Sequence, residues 1–169
     1  MFVLGVDPGL TRCGYGLVAA VAGNGFRAMA AGTLETAADA PVPARLAALA
    51  ESIGALLEEY DPAVVVVVRV FFQTNAKTAT GVAQASGVAL AAAAAHGCEV
   101  AQYTSNEVKL AVAGYGAATK RQVQAMVARQ VGLADAAPPP DAADALALAV
   151  CHLVGAGLRA AVLMAETRS

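Results

Sequence analysis

The longest uninterrupted apolar run without alanine is VVVVV at residues 64–68, where no polar residue alternates with the valines. β-Branched residues without polar alternation are typical of a strand covered on both faces. Four other segments also predict strands: FVLGVD at 2–7, GYGLVAA at 14–20, FRAMAAGTLET at 26–36 and CEVAQYT at 98–104. The short connections between the first three strands favour an antiparallel meander.

Helices are predicted between and after these strands. Apolar residues recur at spacings of three and four between residues 43 and 60, which marks an amphipathic helix ending at Asp61 and Pro62. Further helices are predicted at about 74–96, 106–113, 120–131 and 141–154. The order β-β-β-α-β-α-β-α-α-α predicts an α/β fold, a mixed five-stranded sheet with helices on both faces. We expect a single domain over residues 1–156 and a loosely ordered tail over 157–169.

The composition and the N-terminal sequence argue against a membrane protein and a secreted protein. Although 58% of the 169 residues are hydrophobic, no uncharged apolar stretch has the length and flanks of a membrane span, and the nearest approach, residues 85–95, is too short. The N-terminus lacks the pattern of a signal peptide, so we expect a cytoplasmic protein that is not in a membrane. Cys13, Cys98 and Cys151 are far apart and form no C-x-x-C pair, so we expect plain thiols.

The net charge of −2 does not by itself indicate a nucleic-acid partner. Basic residues nevertheless concentrate in the central part of the chain, while acidic residues cluster at 51–61 and 135–144. This separation permits a basic face on a weakly acidic protein. The alternative is an ordinary scatter of solvated charges.

Three aspartates are candidates for chemistry. Asp7 ends the first predicted strand before a Pro-Gly turn, at the edge where open α/β sheets place their ligands. Asp141 and Asp144 are three residues apart at the start of the last helix and therefore share a face. The alternatives are a turn-forming role for Asp7 and an N-cap role for Asp141, which would leave Asp144 unexplained.

Clustered carboxylates indicate a site for hard cations. Two Mg²⁺ ions held by such oxygens can stabilise the attacking and leaving oxygens of a phosphodiester cleavage. The chain contains no Walker loop, H-E-x-x-H motif, nucleophile elbow or dinucleotide fingerprint, which removes several competing enzyme classes.

Four ordered motifs resemble one known family. GVDPGLTRCGYG, RVFFQTNAKTATGVAQASG, GYGAATKRQVQAMV and DAADALALAVCH together resemble the RuvC family of bacterial Holliday-junction resolvases. The resemblance implies an RNase H-like fold, a homodimer, a branch-migration helicase complex as partner and Mg²⁺-dependent nicking of two symmetric strands of a four-way DNA junction.

The resemblance also implies roles for individual residues. Asp7, Asp141 and Asp144 match three of the four acids that bind two metal ions in this family. The residues expected to contact DNA are Phe71, Phe72, Lys77, Lys109, Lys120 and Arg121. Aromatic rings stack on unpaired bases and cationic side chains neutralise phosphates. The alternative for the two phenylalanines is a core pair at the end of a strand.

The valine run contains the one departure from the family pattern. The resemblance implies a glutamate immediately before R-V-F, and in this chain that position is Val68. A valine offers no oxygen ligand, so we expect a chain that keeps its fold and binds junctions but cleaves poorly or not at all.

Two alternatives to a nuclease remain open at this stage. One is a DNA-binding protein that recognises branched structure without cutting. The other is a phosphotransferase of the actin and sugar-kinase class, because D-P-G-L-T-R-C-G at residues 7–14 resembles the phosphate-binding loop of those proteins. That class encloses its nucleotide between two lobes, and this chain has the length of one.

Overall fold

The computed structural model describes residues 1–23, 25–69, 76–134 and 136–166, without the side chains of 76–78 and 158–166. Five strands and five helices follow one another in the described part: β1 Phe2–Asp7, β2 Arg12–Val21, β3 Gly25–Glu35, α1 Val42–Tyr60, β4 Val64–Val68, α2 Ala76–His96, β5 Glu99–Tyr103, α3 Ser105–Ala113, α4 Lys120–Gln130 and α5 Pro140–Glu166.

The strands form one mixed sheet in the order β3-β2-β1-β4-β5. β1, β2 and β3 are antiparallel neighbours, whereas β4 and β5 run parallel to β1. The carboxyl ends of β1, β4 and β5 therefore meet at one edge of the sheet. Each parallel connection contains a helix, as crossovers of this kind require.

Each face of the sheet packs against its own group of helices. Alternate residues of β4 point to opposite faces, so Val64 and Val66 pack with α3, α4 and α5, whereas Val65 and Val67 pack with α1 and α2. All four of these valines are buried. A strand covered on both faces has no polar alternation, and the prediction made from the valine run is confirmed.

Helix α5 lies unusually close to the sheet, because glycines occupy the strand positions beneath it. A Cβ atom at Gly14 of β2 would overlap the carbonyl oxygen of Asp141, and one at Gly5 of β1 would overlap that of Ala145. The first two turns of α5 are thus in backbone contact with β1 and β2. This contact sets the position of Asp141 and Asp144.

The predicted α/β class, the mixed five-stranded sheet and the helices on both faces are confirmed. The predicted end of the last helix near Val154 is wrong, because α5 continues to Glu166. Gly155 and Gly157 suggest a helix end, but the alanine- and leucine-rich segment after them favours continued helix. The division into a domain at 1–156 and a tail at 157–169 stays a prediction. Within the described residues, no helix has the length and apolarity needed to cross a membrane.

Candidate metal and DNA-binding site

The candidate site lies where β1, β4 and β5 end side by side. β1 and β4 are in register up to the pair Val6 and Val67, so the next residues, Asp7 and Val68, are neighbours at the sheet edge. Val68 is in turn the register partner of Tyr103 on β5. By strand alternation Asp7 and Val68 point to the face covered by α3, α4 and α5, and Val68 packs against the core on that face.

Helix α5 brings its first turn to the same edge. Asp141 lies against Gly14, and Gly14 is the register partner of Asp7. Asp144 is one turn further along α5 and lines the same cavity as Asp7. Two acids separated by most of the chain are therefore brought together by the close packing of α5 on glycine.

The cavity has a volume of about 340 Å³, and its lining is part acidic, part basic and part apolar. The lining residues are Asp7, Val68, Ser105, Val108, Lys109, Lys120, Val123, Asp144, Ala147 and Leu148. Val68 presents methyl groups at the position where the resemblance implies a carboxylate. An open cavity with two carboxylates and two ammonium groups suits a ligand that carries negative charge together with a cation.

Asp7 has a strongly perturbed pKa. Its pKa is raised from 3.8 to about 6, chiefly by burial and also by the carboxylates of Asp144 and Asp141, whereas Lys120 lowers it. Desolvation and like charges both disfavour the charged form of a carboxyl group. A cation bound next to Asp7 would relieve both effects, so the electrostatics of this side chain favour cation binding.

Asp144 is held by two residues of α4. The Nζ atom of Lys120 lies 2.5 Å from its Oδ2 atom, and the side-chain amide of Gln124 donates to its Oδ1 atom at 3.0 Å. The Asp144 side chain is 20% exposed and that of Lys120 is 66% exposed. The hydrogen bond to Asp144 is the main reason why the pKa of Lys120 is raised. Lys120 thus places positive charge where the acids of the site converge.

Asp141 is oriented differently. Its Oδ2 atom accepts a hydrogen bond of 2.7 Å from Nε of Arg12, a residue of β2, and Asp141 is absent from the cavity lining. In the part of the chain that the structure describes, no three His, Cys, Asp or Glu side chains stand together as ligands of one ion. The cavity itself therefore offers Asp7 and Asp144, with Asp141 adjacent at the same sheet edge.

These donors fit a divalent metal ion in chemical type. Carboxylate oxygens are the preferred ligands of Mg²⁺, and the raised pKa of Asp7 reflects its burial beside two other carboxylates. Asp7 and Asp144 would hold the ion from the cavity, and Asp141 would contribute from the first turn of α5. The missing oxygen at Val68 leaves the set one donor short of what the resemblance implies.

The residues predicted to contact DNA are found in different places. Lys109 and Lys120 line the cavity, and Arg121 is exposed on the first turn of α4. Phe71 and Phe72 lie outside the described residues, as does the side chain of Lys77. Cys13, Cys98 and Cys151 are free, and burial is the main reason why the pKa of Cys13 and of Cys151 is raised to about 11.

Comparison with known proteins decides the family. The family model described as "Crossover junction endodeoxyribonuclease RuvC" matches residues 3–152. The chain belongs to the RuvC family. The RuvC family consists of metal-dependent nucleases, which agrees with the carboxylates found at the sheet edge and supports the nuclease prediction over the phosphotransferase alternative.

Individual relatives give the same result over nearly the whole chain. RuvC of Leifsonia xyli subsp. xyli is 52% identical over 94% of this chain and 76% of its own length. RuvC of Streptomyces avermitilis is 54% identical over 90% of this chain and 87% of its own length. Among solved structures, T. thermophilus RuvC in complex with Holliday junction substrate is 32% identical with a TM-score of 0.84, and the match covers 94% of this chain and 96% of that one. The predicted RNase H-like RuvC fold is confirmed.

Sequence reasoning missed Gln124 and Arg12, which contact acids of this RuvC-family site, and Glu35, which contacts Arg12. Gln124 follows Lys120 by four residues, so the sequence could have placed the two on one face of α4, but not against Asp144. Arg12 and Glu35 gave no comparable signal, because Arg12 contacts Asp141 across a separation of 129 residues. Only the packing of α5 on the sheet reveals that contact.

Proposed function

We propose that this chain binds four-way DNA junctions through the cavity edge and cleaves them poorly or not at all. The observation that carries the proposal is Val68, which lines the same cavity as Asp7 and Asp144 and offers no oxygen there. Family membership supports junction binding, and the valine argues against efficient cleavage. The chain would have the fold of a junction-specific endonuclease but would act mainly by binding junctions.

Binding would depend on the cationic residues around the cavity. Lys109 and Lys120 line it and Arg121 is exposed nearby on α4, so a DNA backbone entering the cavity would meet positive charge before reaching the acids. Neutralising phosphates in this way gives an affinity that falls as salt rises. Lys77 would add to this charge, and Phe71 and Phe72 would stack on bases near the centre of the junction.

Asp7, Asp141 and Asp144 would be the catalytic and metal-binding residues, with two Mg²⁺ ions as the expected cofactors. When bound, the ions would neutralise charge on the attacking and leaving oxygens of the phosphodiester. Residues of the chain would orient the phosphodiester. Lys120 would exchange its contact with Asp144 for the incoming phosphate, and Ser105 at the start of α3 would remain as a hydroxyl donor in the cavity wall.

Loss of a directly coordinating oxygen should reduce activity strongly. Changes to residues that merely support metal ligands typically cost about 10- to 100-fold in metal affinity or activity, and removing a ligand with its charge should cost more. Val68 is half-buried and packs on apolar neighbours, so a water molecule does not easily replace the lost oxygen.

A synthetic four-way junction tests both parts of the proposal. The chain and its Val68→Glu variant are compared in a gel-shift assay with Ca²⁺ and in a cleavage assay with Mg²⁺. We expect similar junction affinity, preference for the junction over a linear duplex of equal length, and cleavage that is at least about 100-fold faster in the Val68→Glu variant. Val68→Gln is the matched control, since it introduces length and polarity without a carboxylate.

Two results would contradict this proposal. Measurable cleavage at equal rates by the chain and the Val68→Glu variant would remove the argument from the missing ligand. Equal affinity for the junction and the duplex would instead remove the proposed substrate. No cleavage by either protein, with tight junction binding by both, would favour the second candidate function, a structure-specific DNA-binding protein without nuclease activity.

The remaining expectations concern the setting in which the protein acts. Two symmetric nicks require two copies of the site, so we propose a homodimer. A branch-migration helicase complex as partner follows from the family resemblance and stays a prediction, as does the expected cytoplasmic location.

A further inference from the structure

Arg12 joins two carboxylates on neighbouring parts of the fold. Its Nε atom donates to Oδ2 of Asp141 at 2.7 Å, and its Nη1 atom donates to Oε1 of Glu35 at 2.7 Å. The guanidinium thus connects the first turn of α5 to the end of β3. By strand alternation, Arg12 and Gly14 lie on the same face of β2, so Arg12 stands next to the position over which Asp141 packs.

Both ends of this connection are fixed by backbone structure. Arg12 and Glu35 are register partners in the β2–β3 ladder, so their side chains leave the sheet directly opposite each other. Side chains of opposite charge that face each other on neighbouring strands interact favourably. Asp141 is held from the other side, because its backbone lies against Gly14. The guanidinium is therefore oriented before any ligand arrives.

Arg12 binds only one of the two carboxylate oxygens of Asp141. Arg12 approaches through Nε alone, although a guanidinium can bind both oxygens of a carboxylate at once. The second contact of the guanidinium goes to Glu35 instead. Among the described residues, no hydrogen bond to Oδ1 of Asp141 is found. That oxygen is available to a cation at the sheet edge.

We propose that Arg12, held by Glu35, is a positioning residue that fixes the Asp141 carboxylate for metal binding. The inference rests on the proposed metal site. Residues that orient metal ligands in this way are worth about 10- to 100-fold in metal affinity or activity. Lys120 differs from Arg12 in that it lines the cavity itself and is not anchored by a second carboxylate in the described part of the chain.

Charge alone predicts the opposite effect. A positive group near a cation site repels the cation, so removal of Arg12 would tighten metal binding if charge were its only contribution. Positioning predicts weaker binding after removal, because Asp141 would have to be ordered by the metal itself. The sign of the change therefore distinguishes the two contributions.

The test measures binding of Mn²⁺, added as MnCl2, by calorimetry and by electron spin resonance of the free ion. Arg12→Ala and Arg12→Lys are made in the full chain and in its Val68→Glu variant. We expect about tenfold weaker Mn²⁺ binding for Arg12→Ala. We expect at least as large a loss for Arg12→Lys, which keeps the charge but not the planar group that spans two carboxylates. Arg27→Ala, an exposed arginine of β3, is the control and should leave Mn²⁺ binding unchanged.

Melting temperature checks that the variants fold. Arg12 is 51% exposed, and surface ion pairs contribute little to stability, so the melting temperature should fall by no more than a few degrees. Unchanged or tighter Mn²⁺ binding by Arg12→Ala would overturn the role of Arg12 while leaving the proposed function intact. If even the Val68→Glu protein does not bind Mn²⁺, the proposed metal site is wrong, and so is the proposed role of Arg12. Junction binding in the gel-shift assay is measured separately and can survive that result.

Discussion

Burial and neighbouring charge act together on one side chain at the sheet edge, that of Asp7. Its pKa is raised from 3.8 to about 6, first by burial, then by Asp144, with a further contribution from Asp141. A carboxyl group with a raised pKa in the folded protein binds protons more tightly there than in the unfolded chain. The contribution of Asp7 to the stability of the metal-free protein should therefore fall as the pH rises from about 4 to about 6.

Replacement of Asp7 by asparagine should remove this pH dependence. A shift of about two pKa units corresponds to about 3 kcal/mol, so at pH 7.5 the metal-free Asp7→Asn variant should be more stable by up to that amount. Near pH 3.5 the difference should be small, because the carboxyl group is then protonated in the folded protein and largely protonated in the unfolded chain. Urea unfolding in EDTA at pH 3.5, 5.5 and 7.5 measures the difference in the free energy of unfolding.

An exposed acid supplies the control for this measurement. Asp39 lies in the turn before α1 and is exposed, so Asp39→Asn should change the stability little at any of the three pH values. An Asp7→Asn difference that does not vary with pH would contradict the argument from the raised pKa. Excess Mg²⁺ at pH 7.5 should reduce the advantage of asparagine if Asp7 helps to bind the ion.

At the scale of single elements, the approach of α5 to β1 and β2 determines the site. Gly14 is a glycine because the carbonyl oxygen of Asp141 occupies the space of a Cβ atom. The sequence contains Gly5, Gly14, Asp141 and Asp144, yet its hydrophobic periodicity does not indicate that Gly14 lies beneath Asp141. That relation follows from the packing of a helix on a strand more than 120 residues away along the chain.

Substitution of Gly14 should therefore disturb stability and metal binding together. In Gly14→Ala the added methyl group forces the start of α5 away from β2, and overpacking of this kind typically costs about 1–3 kcal/mol. The free energy of unfolding by urea measures the loss, and Mn²⁺ titration should reveal weaker binding in the same variant.

Gly54→Ala is the matched control for that experiment. Gly54 lies within α1, and no atom stands near the position of an added Cβ. Alanine is favoured over glycine in a helix by about 1 kcal/mol, so this variant should be more stable than the parent. A Gly14→Ala protein as stable as the parent would show that the sheet tolerates a displaced α5.

The strands and helices themselves were largely predictable, because each carries its own periodic signal. The all-valine strand β4 and the amphipathic helix α1 are clear examples, and their structural bounds are Val64–Val68 and Val42–Tyr60. The extent of α5 was not predictable from Gly155 and Gly157 alone, since two glycines weaken a helix without having to end it. At the site, Asp7, Asp141 and Asp144 were predicted to converge in one pocket; Asp7 and Asp144 line one cavity, whereas Asp141 lies beside it. The contact between Arg12 and Asp141 depends on tertiary structure.

At the scale of the whole molecule, a junction presents two equivalent strands, and a homodimer would present two equivalent sites. Each protomer would supply its own Asp7, Asp144 and residue 68, because all three line one cavity within a single chain. A defect at residue 68 should therefore stay within its own protomer. A dimer of one Val68 chain and one Val68→Glu chain should contain one impaired and one restored site.

Such mixed dimers give the last prediction. They can be purified with two different affinity tags and incubated with Mg²⁺ and a supercoiled plasmid that extrudes a cruciform. One nick relaxes the plasmid to an open circle, whereas two symmetric nicks linearise it. We expect linear product from the Val68→Glu homodimer, open circles from the mixed dimer and little of either from the chain itself. Linear product from the mixed dimer at the homodimer's rate would mean that Val68 does not impair its site, or that one site cuts both strands.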